Sequence, residues 1–107
     1  MKLWIDDVRP APEGYVWCKS VNEAKEEIKD REYRLQYYLN LEHEIELIDI
    51  DHDAGDFACD GGDYIKLLDW LEEYMLCFFP IHIHSQNPVG VENMRRIIQR
   101  NGWREVK

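Results

Sequence analysis

Two histidines one residue apart, His82 and His84, lie in the run Pro80-Ile81-His82-Ile83-His84-Ser85-Gln86-Asn87-Pro88. Side chains alternate across a strand, so a strand here puts both imidazoles on one face and Ile81 and Ile83 on the other. Imidazole titrates near neutrality, which suits general acid and base work on a phosphodiester. One ring would activate a water or hydroxyl; the other would protonate the departing oxygen. An edge strand with a solvated face would show the same pattern without chemistry.

The elements that must hold these residues follow from the flanking sequence. Asn87 suits a helix N-cap and Pro88 the first helical position, with Val91, Met94, Ile97 and Ile98 at helical spacing behind. The free N–H groups and positive dipole end of that helix would lie beside Ser85, at the carboxyl end of a strand, where phosphate is the natural ligand. Ser85 and Asn87 are therefore candidate substrate-binding residues, although caps alone would use the same types. Arg9, in a proline-rich connection, is a further candidate for phosphate oxygens, and His52 is added from the third strand's end.

Lys2 to Asp6, Tyr15 to Cys18, Ile45 to Ile50, the histidine segment and Trp103 to Lys107 read as strands. One helix, opened by the capping box Ser20-Val21-Asn22-Glu23, runs from about Val21 to near Asn40. A second is capped by Asp63, with Tyr64, Leu67, Leu68, Leu71, Met75 and Phe78 as its buried stripe. A third runs from about Val89 to Arg100 and stops at Asn101-Gly102. This alternation predicts a three-layer α/β fold with a mostly parallel sheet and a ligand site outside the carboxyl ends of the strands. Between Asp7 and Tyr15 there is no room for a helix, so the first two strands are joined irregularly or one lies at an edge.

Asp6, Asp7 and Asp51 fall at strand ends, and Asp53, Asp56, Asp60 and Asp63 fill the loop after the third strand. The sheet would carry these acids to the rim that bears the histidines. Packed carboxylates repel one another, and a divalent cation or protonated histidines relieve that. The site reads either as a magnesium pocket of Asp6, Asp7 and Asp51 or as a histidine pair whose tautomers the carboxylates fix. The bland alternative is strand-end caps and turn formers.

A chain of 107 residues is one domain, 1–107. A net charge of -9 argues against an extended duplex DNA partner and leaves a nucleotide or RNA end. Cys18, Cys59 and Cys77 are odd in number and lack C-x-x-C spacing, as expected of reduced thiols in a cytoplasmic protein. No apolar run approaches the length that spans a bilayer, so no membrane partner is expected. Tyr33, Tyr37 and Tyr38 suggest core packing, a dimer contact or base stacking; His43 reads as exposed. Monomer and homodimer both remain open.

The runs Lys2-Leu3-Trp4-Ile5-Asp6-Asp7-Val8-Arg9-Pro10-Ala11-Pro12, Ile50-Asp51-His52-Asp53-Ala54-Gly55 and Ile81-His82-Ile83-His84-Ser85-Gln86-Asn87-Pro88-Val89-Gly90, with Asn93-Met94 beyond, resemble the cyclic-phosphate processing receiver-like family. The likeness spans nearly the whole chain, with three motifs in order. It implies a receiver-like, flavodoxin-like sheet lacking the first crossover helix and the last helix, which accounts for the short first link. By the same likeness Asp6 and Asp7 match the receiver's acidic pair, Asp51 its phospho-acceptor position and Ser85 its hydroxyl; Lys107 is the nearest match to its lysine. The likeness implies the processing of cyclic phosphate ends in RNA repair or nucleotide metabolism; joined to the reading of the residues it points to a phosphoesterase acting on 2',3'-cyclic phosphate RNA ends or small cyclic nucleotides, with His82, His84 and Asp51 catalytic and with or without Mg2+ as cofactor. The alternative is a catalytically inactive receiver-like module that binds a phosphate-containing ligand or a protein partner. A phosphorelay receiver with Asp51 as acceptor fits poorly, because histidines stand at the fourth strand. Two departures from the family pattern are Asp49, an extra acid inside the third strand, and Tyr15 where tryptophan is expected.

Overall fold

Alternate residues along the strands are sealed. Leu3, Ile5, Ile48, Ile50 and Ile81 have no accessible surface. They join Val21, Ala24 and Ile28, then Leu67, Leu68 and Leu71, then Met94, Ile97 and Ile98, in one apolar core. A computed structural model describes residues 1–38, 45–74 and 79–107, the side chains of 30–38 excepted. Its strands are β1 (Lys2–Ile5), β2 (Tyr15–Cys18), β3 (Leu47–Ile50), β4 (Ile81–Ile83) and β5 (Glu105–Val106). Its α-helices are α1 (Val21–Tyr38), α2 (Ile65–Tyr74) and α3 (Pro88–Asn101).

All four strand pairings are parallel, in the order β2-β1-β3-β4-β5. That is the flavodoxin-like order expected of a receiver. No helix joins β1 to β2, as expected. The three helices present all contribute to the core on one face of the sheet. Among the described residues the layer on the other face is missing, so Trp4, Trp17 and His82 are only half-buried there.

The connection from β1 to β2 is held by side chains in place of a helix. The Asp6 carboxylate accepts the backbone N–H groups of Val8 and Arg9, both at 3.0 Å, making a local turn. The Trp4 indole donates to the Arg9 carbonyl and the Trp17 indole to the Asp6 carbonyl, both at 2.8 Å.

The helix ends follow their local signals with two exceptions. Ser20 Oγ accepts from Glu23 N at 3.0 Å, while the Glu23 carboxylate reaches Lys19 N rather than the capping residue. Asp63 does not cap α2: its carboxylate accepts from Ala54 N at 3.0 Å and ties the long loop to itself. Asn87 caps α3 by accepting from Gly90 N, Pro88 is the first helical residue, and Gly102 ends the helix in the left-handed region. Arg95 grips Glu105, and Arg100, in the last turn of α3, grips Glu72. Met75, Cys77, Phe78, His43 and the end of the first helix near Asn40 lie outside the described residues, as do the side chains of Tyr33, Tyr37 and Tyr38.

Cys18 is buried and Cys59 is exposed. No helix among the described residues is long and apolar enough to cross a membrane.

Candidate active site

The strand register assembles the centre. Trp4 faces Asp49 across β1 and β3, and Asp49 faces His82 across β3 and β4. These three therefore form one row on the sheet face opposite the core. His84, two residues beyond His82, shares that face, and its backbone N–H donates to the Ile50 carbonyl at 2.9 Å.

Asp49 sits between the two imidazoles. A single oxygen, Oδ1, accepts from His82 Nδ1 at 2.8 Å and from His84 Nδ1 at 2.6 Å. The far nitrogen of His84, Nε2, lies 2.9 Å from Asp6 Oδ2. His82, Asp49, His84 and Asp6 thus form a continuous hydrogen-bonded chain from the sheet face to the rim. The Trp4 ring stacks on His84, with centroids 4.0 Å apart and planes 3° from parallel. Arg9 Nη1 donates to the His84 carbonyl at 3.1 Å, closing the chain from the loop side.

Burial and pairing set the charges. Burial of His84 opposes its protonation, but the hydrogen bonds to Asp49 and Asp6 outweigh burial and raise its pKa above the usual imidazole value. Burial pushes Asp49 up, and the hydrogen bonds from His84 and His82 more than reverse this, leaving it below the ordinary carboxylate value. Asp6 has no accessible surface. Burial raises its pKa as well, yet the backbone N–H groups of Arg9 and Val8 and the His84 ring bring it down. His82 differs from its neighbour in access: its side chain is 35 % exposed against 8 % for His84.

The acids also meet at the rim. Ligand atoms of Asp6, Asp51 and His84 lie within 4.8 Å of one another. Asp7 stands beside them and its pKa is raised, by burial and then by the charge of Asp6 and Asp51 against its own backbone N–H. Crowded carboxylates of this kind offer the hard oxygen donors that Mg2+ prefers. A Cβ on Gly55, whose φ is +54°, would collide with the Asp7 carboxylate, so glycine there makes room for the acid.

The remaining candidates form a second group on the helix side of the rim. His52 Nδ1 is 2.9 Å from Asp53 Oδ1, and Asn87 Nδ2 reaches both at 3.5 Å. The His52 ring lies against Gly90, where a Cβ would collide with it. Ser85 Oγ accepts from Asn87 N at 3.1 Å, a turn bond that leaves its own O–H available. No hydrogen bond among the described residues joins this group to His82 or His84. Lys107 follows Val106, the register partner of His82, and is exposed.

Asp49 is the site residue that the sequence alone does not single out as a candidate. Its signal was present: one charged residue in an otherwise apolar strand, at the spacing that shares a face with Asp51. Only the parallel register, which brings it opposite His82, gives it a role.

A family model described as the cyclic-phosphate processing receiver domain matches residues 1–100. No curated protein and no solved structure matches the chain.

Proposed function

The chain belongs to the cyclic-phosphate processing receiver family, and from that premise we propose that it is a phosphoesterase acting on a cyclic phosphate, in the class of 2',3'-cyclic RNA ends or small cyclic nucleotides. The observation that carries the reading is the chain of His82, Asp49, His84 and Asp6, which couples an accessible imidazole to buried carboxylates. Buried charges are costly unless paired, and this arrangement pairs them around one exposed ring tip. A cluster of perturbed groups of this kind is a candidate reaction centre.

In the reaction one water adds across one P–O ester bond: its oxygen goes to phosphorus and a proton goes to the departing ribose oxygen. His82, the more exposed imidazole, meets the substrate. Arg9, Ser85 and the α3 N-terminus, capped by Asn87, supply donors for nonbridging oxygens, with His52 and Asp53 bracing Asn87. Asp6 and Asp51, whose ligand atoms converge, fit Mg2+ by donor type and with Asp7 beside them would hold it, where it would supply positive charge to phosphate oxygens.

Incubation of the purified protein with 2',3'-cyclic mononucleotides and with an RNA ending in a 2',3'-cyclic phosphate, with and without Mg2+, tests the reading. Conversion to a phosphomonoester supports it; no turnover under any of these conditions rejects it. The catalytically inactive module predicts the other outcome, nucleotides that raise the melting temperature and are recovered unchanged. The stacking of Trp4 on His84, a packing contact, is the observation that favours that second reading.

A further inference from the structure

The two imidazoles of the motif are not equivalent. Both ring nitrogens of His84 face carboxylate oxygens, at 2.6 Å to Asp49 and 2.9 Å to Asp6, and one ring face is covered by Trp4. No nitrogen of that ring is left to take a proton from a water or a substrate. His82 is bound on one side only, through Nδ1 to Asp49. Its Nε2 has no partner among the described residues, and the side chain is 35 % exposed. An ionised carboxylate only accepts, so Asp49 requires a proton on His82 Nδ1 and thereby leaves the lone pair on Nε2.

We propose that Asp49 is a positioning residue that holds His82 in the Nδ1–H tautomer, so that His82 Nε2 is the one imidazole base of the site and His84 is a clamp that fixes Asp49. The inference rests on the phosphoesterase reading for its catalytic consequence, and on hydrogen-bond geometry for the tautomer. In the step itself, Nε2 takes a proton from the attacking water as its oxygen bonds to phosphorus. One P–O ester bond breaks, the departing ribose oxygen takes a proton from solvent, and the imidazolium releases its proton to bulk water. The nitrogen that does this opens on the face of the sheet that lacks helices, beside Val106 of β5.

The first measurement needs no variant: long-range 1H–15N spectra of the ring nitrogens in the intact protein, with His82 neutral. A proton on His82 Nδ1 and a bare Nε2 support the assignment; a proton on Nε2 overturns it. Acylation by diethylpyrocarbonate should label His82 ahead of His84, and the reverse order also overturns it. Asp49→Asn should give His82 a mixture of tautomers and lower kcat by on the order of 10²–10⁴-fold with KM little changed. A fully active Asp49→Asn with mixed tautomers would show that Asp49 does not serve the reaction. A wild type that shows the expected spectra and turns over no cyclic phosphate removes the phosphoesterase reading and leaves the tautomer assignment standing.

Discussion

The two faces of one sheet are made from the same strands and do different work. On one face Leu3, Ile5, Ile48, Ile50 and Ile81 are sealed beneath three helices. On the other, the residues between them include Trp4, Asp49 and His82, and no helix among the described residues covers them. Strand alternation lets a span of four residues contribute to both, Ile48 and Ile50 to the core and Asp49 to the site. The lesson is that the apolar core and the row proposed for chemistry divide by residue parity, rather than by segment of chain.

The strongest way to break that division is to exchange the effects. His82→Ala should cut turnover of a cyclic phosphate by on the order of 10²–10⁴-fold, while the urea midpoint stays close to wild type. A large loss of stability instead would mean that the helix-free face is part of the fold's support. Ile50→Ala, on the sealed face of a central strand, should cost about 2–5 kcal/mol in urea unfolding. Its kcat at a temperature where the variant is folded should change little, and a marked fall would show that the faces are coupled.

Gly90→Ala sharpens the comparison on the helix side. In an open helix position this change helps by up to about 1 kcal/mol, but here the new Cβ meets the His52 ring. A loss of about 1–3 kcal/mol is expected from overpacking. Adding His52→Ala should recover most of it, and a double variant no more stable than Gly90→Ala alone would refute the contact.

The smallest effect is a pH dependence. The raised pKa of His84 stabilises the fold fully below the unfolded imidazole value of about 6.5 and is lost as pH rises through the folded value. The lowered pKa values of Asp49 and Asp6 stabilise it above the unfolded value of about 3.9, and that is lost as pH falls. Wild-type stability should therefore crest between roughly pH 4 and 6.5. In His84→Gln the decline above that window should flatten, and an unchanged profile would show that the buried cluster does not govern it.

Much of this was legible in the sequence because it is local. Asn87, Pro88 and Gly102 mark the ends of α3 through signals within one turn of the helix, and the shared face of His82 and His84 follows from strand period alone. The short link after β1 announced a missing helix. Asp63 misled because a carboxylate at a turn has several N–H groups in reach, and Ala54 is the one it takes. Asp49 and Trp4 stayed hidden for a different reason. Their roles come from pairing between strands distant in sequence, Asp49 with His82, and no local pattern encodes that register. The core, by contrast, required only apolar parity.

The helixless passage from β1 to β2 also bears on how the chain finds its shape. Lys2 pairs with Tyr15, thirteen residues on, whereas Ile48 pairs with Ile81, thirty-three on. Closing the shorter loop costs roughly 0.8 kcal/mol less in chain entropy. Parallel sheets are ordinarily slow to assemble because their contacts are remote. In this protein the amino-terminal ribbon has the cheapest closure, and the costliest is that of β1 with β3, where Lys2 meets Leu47, forty-five residues on.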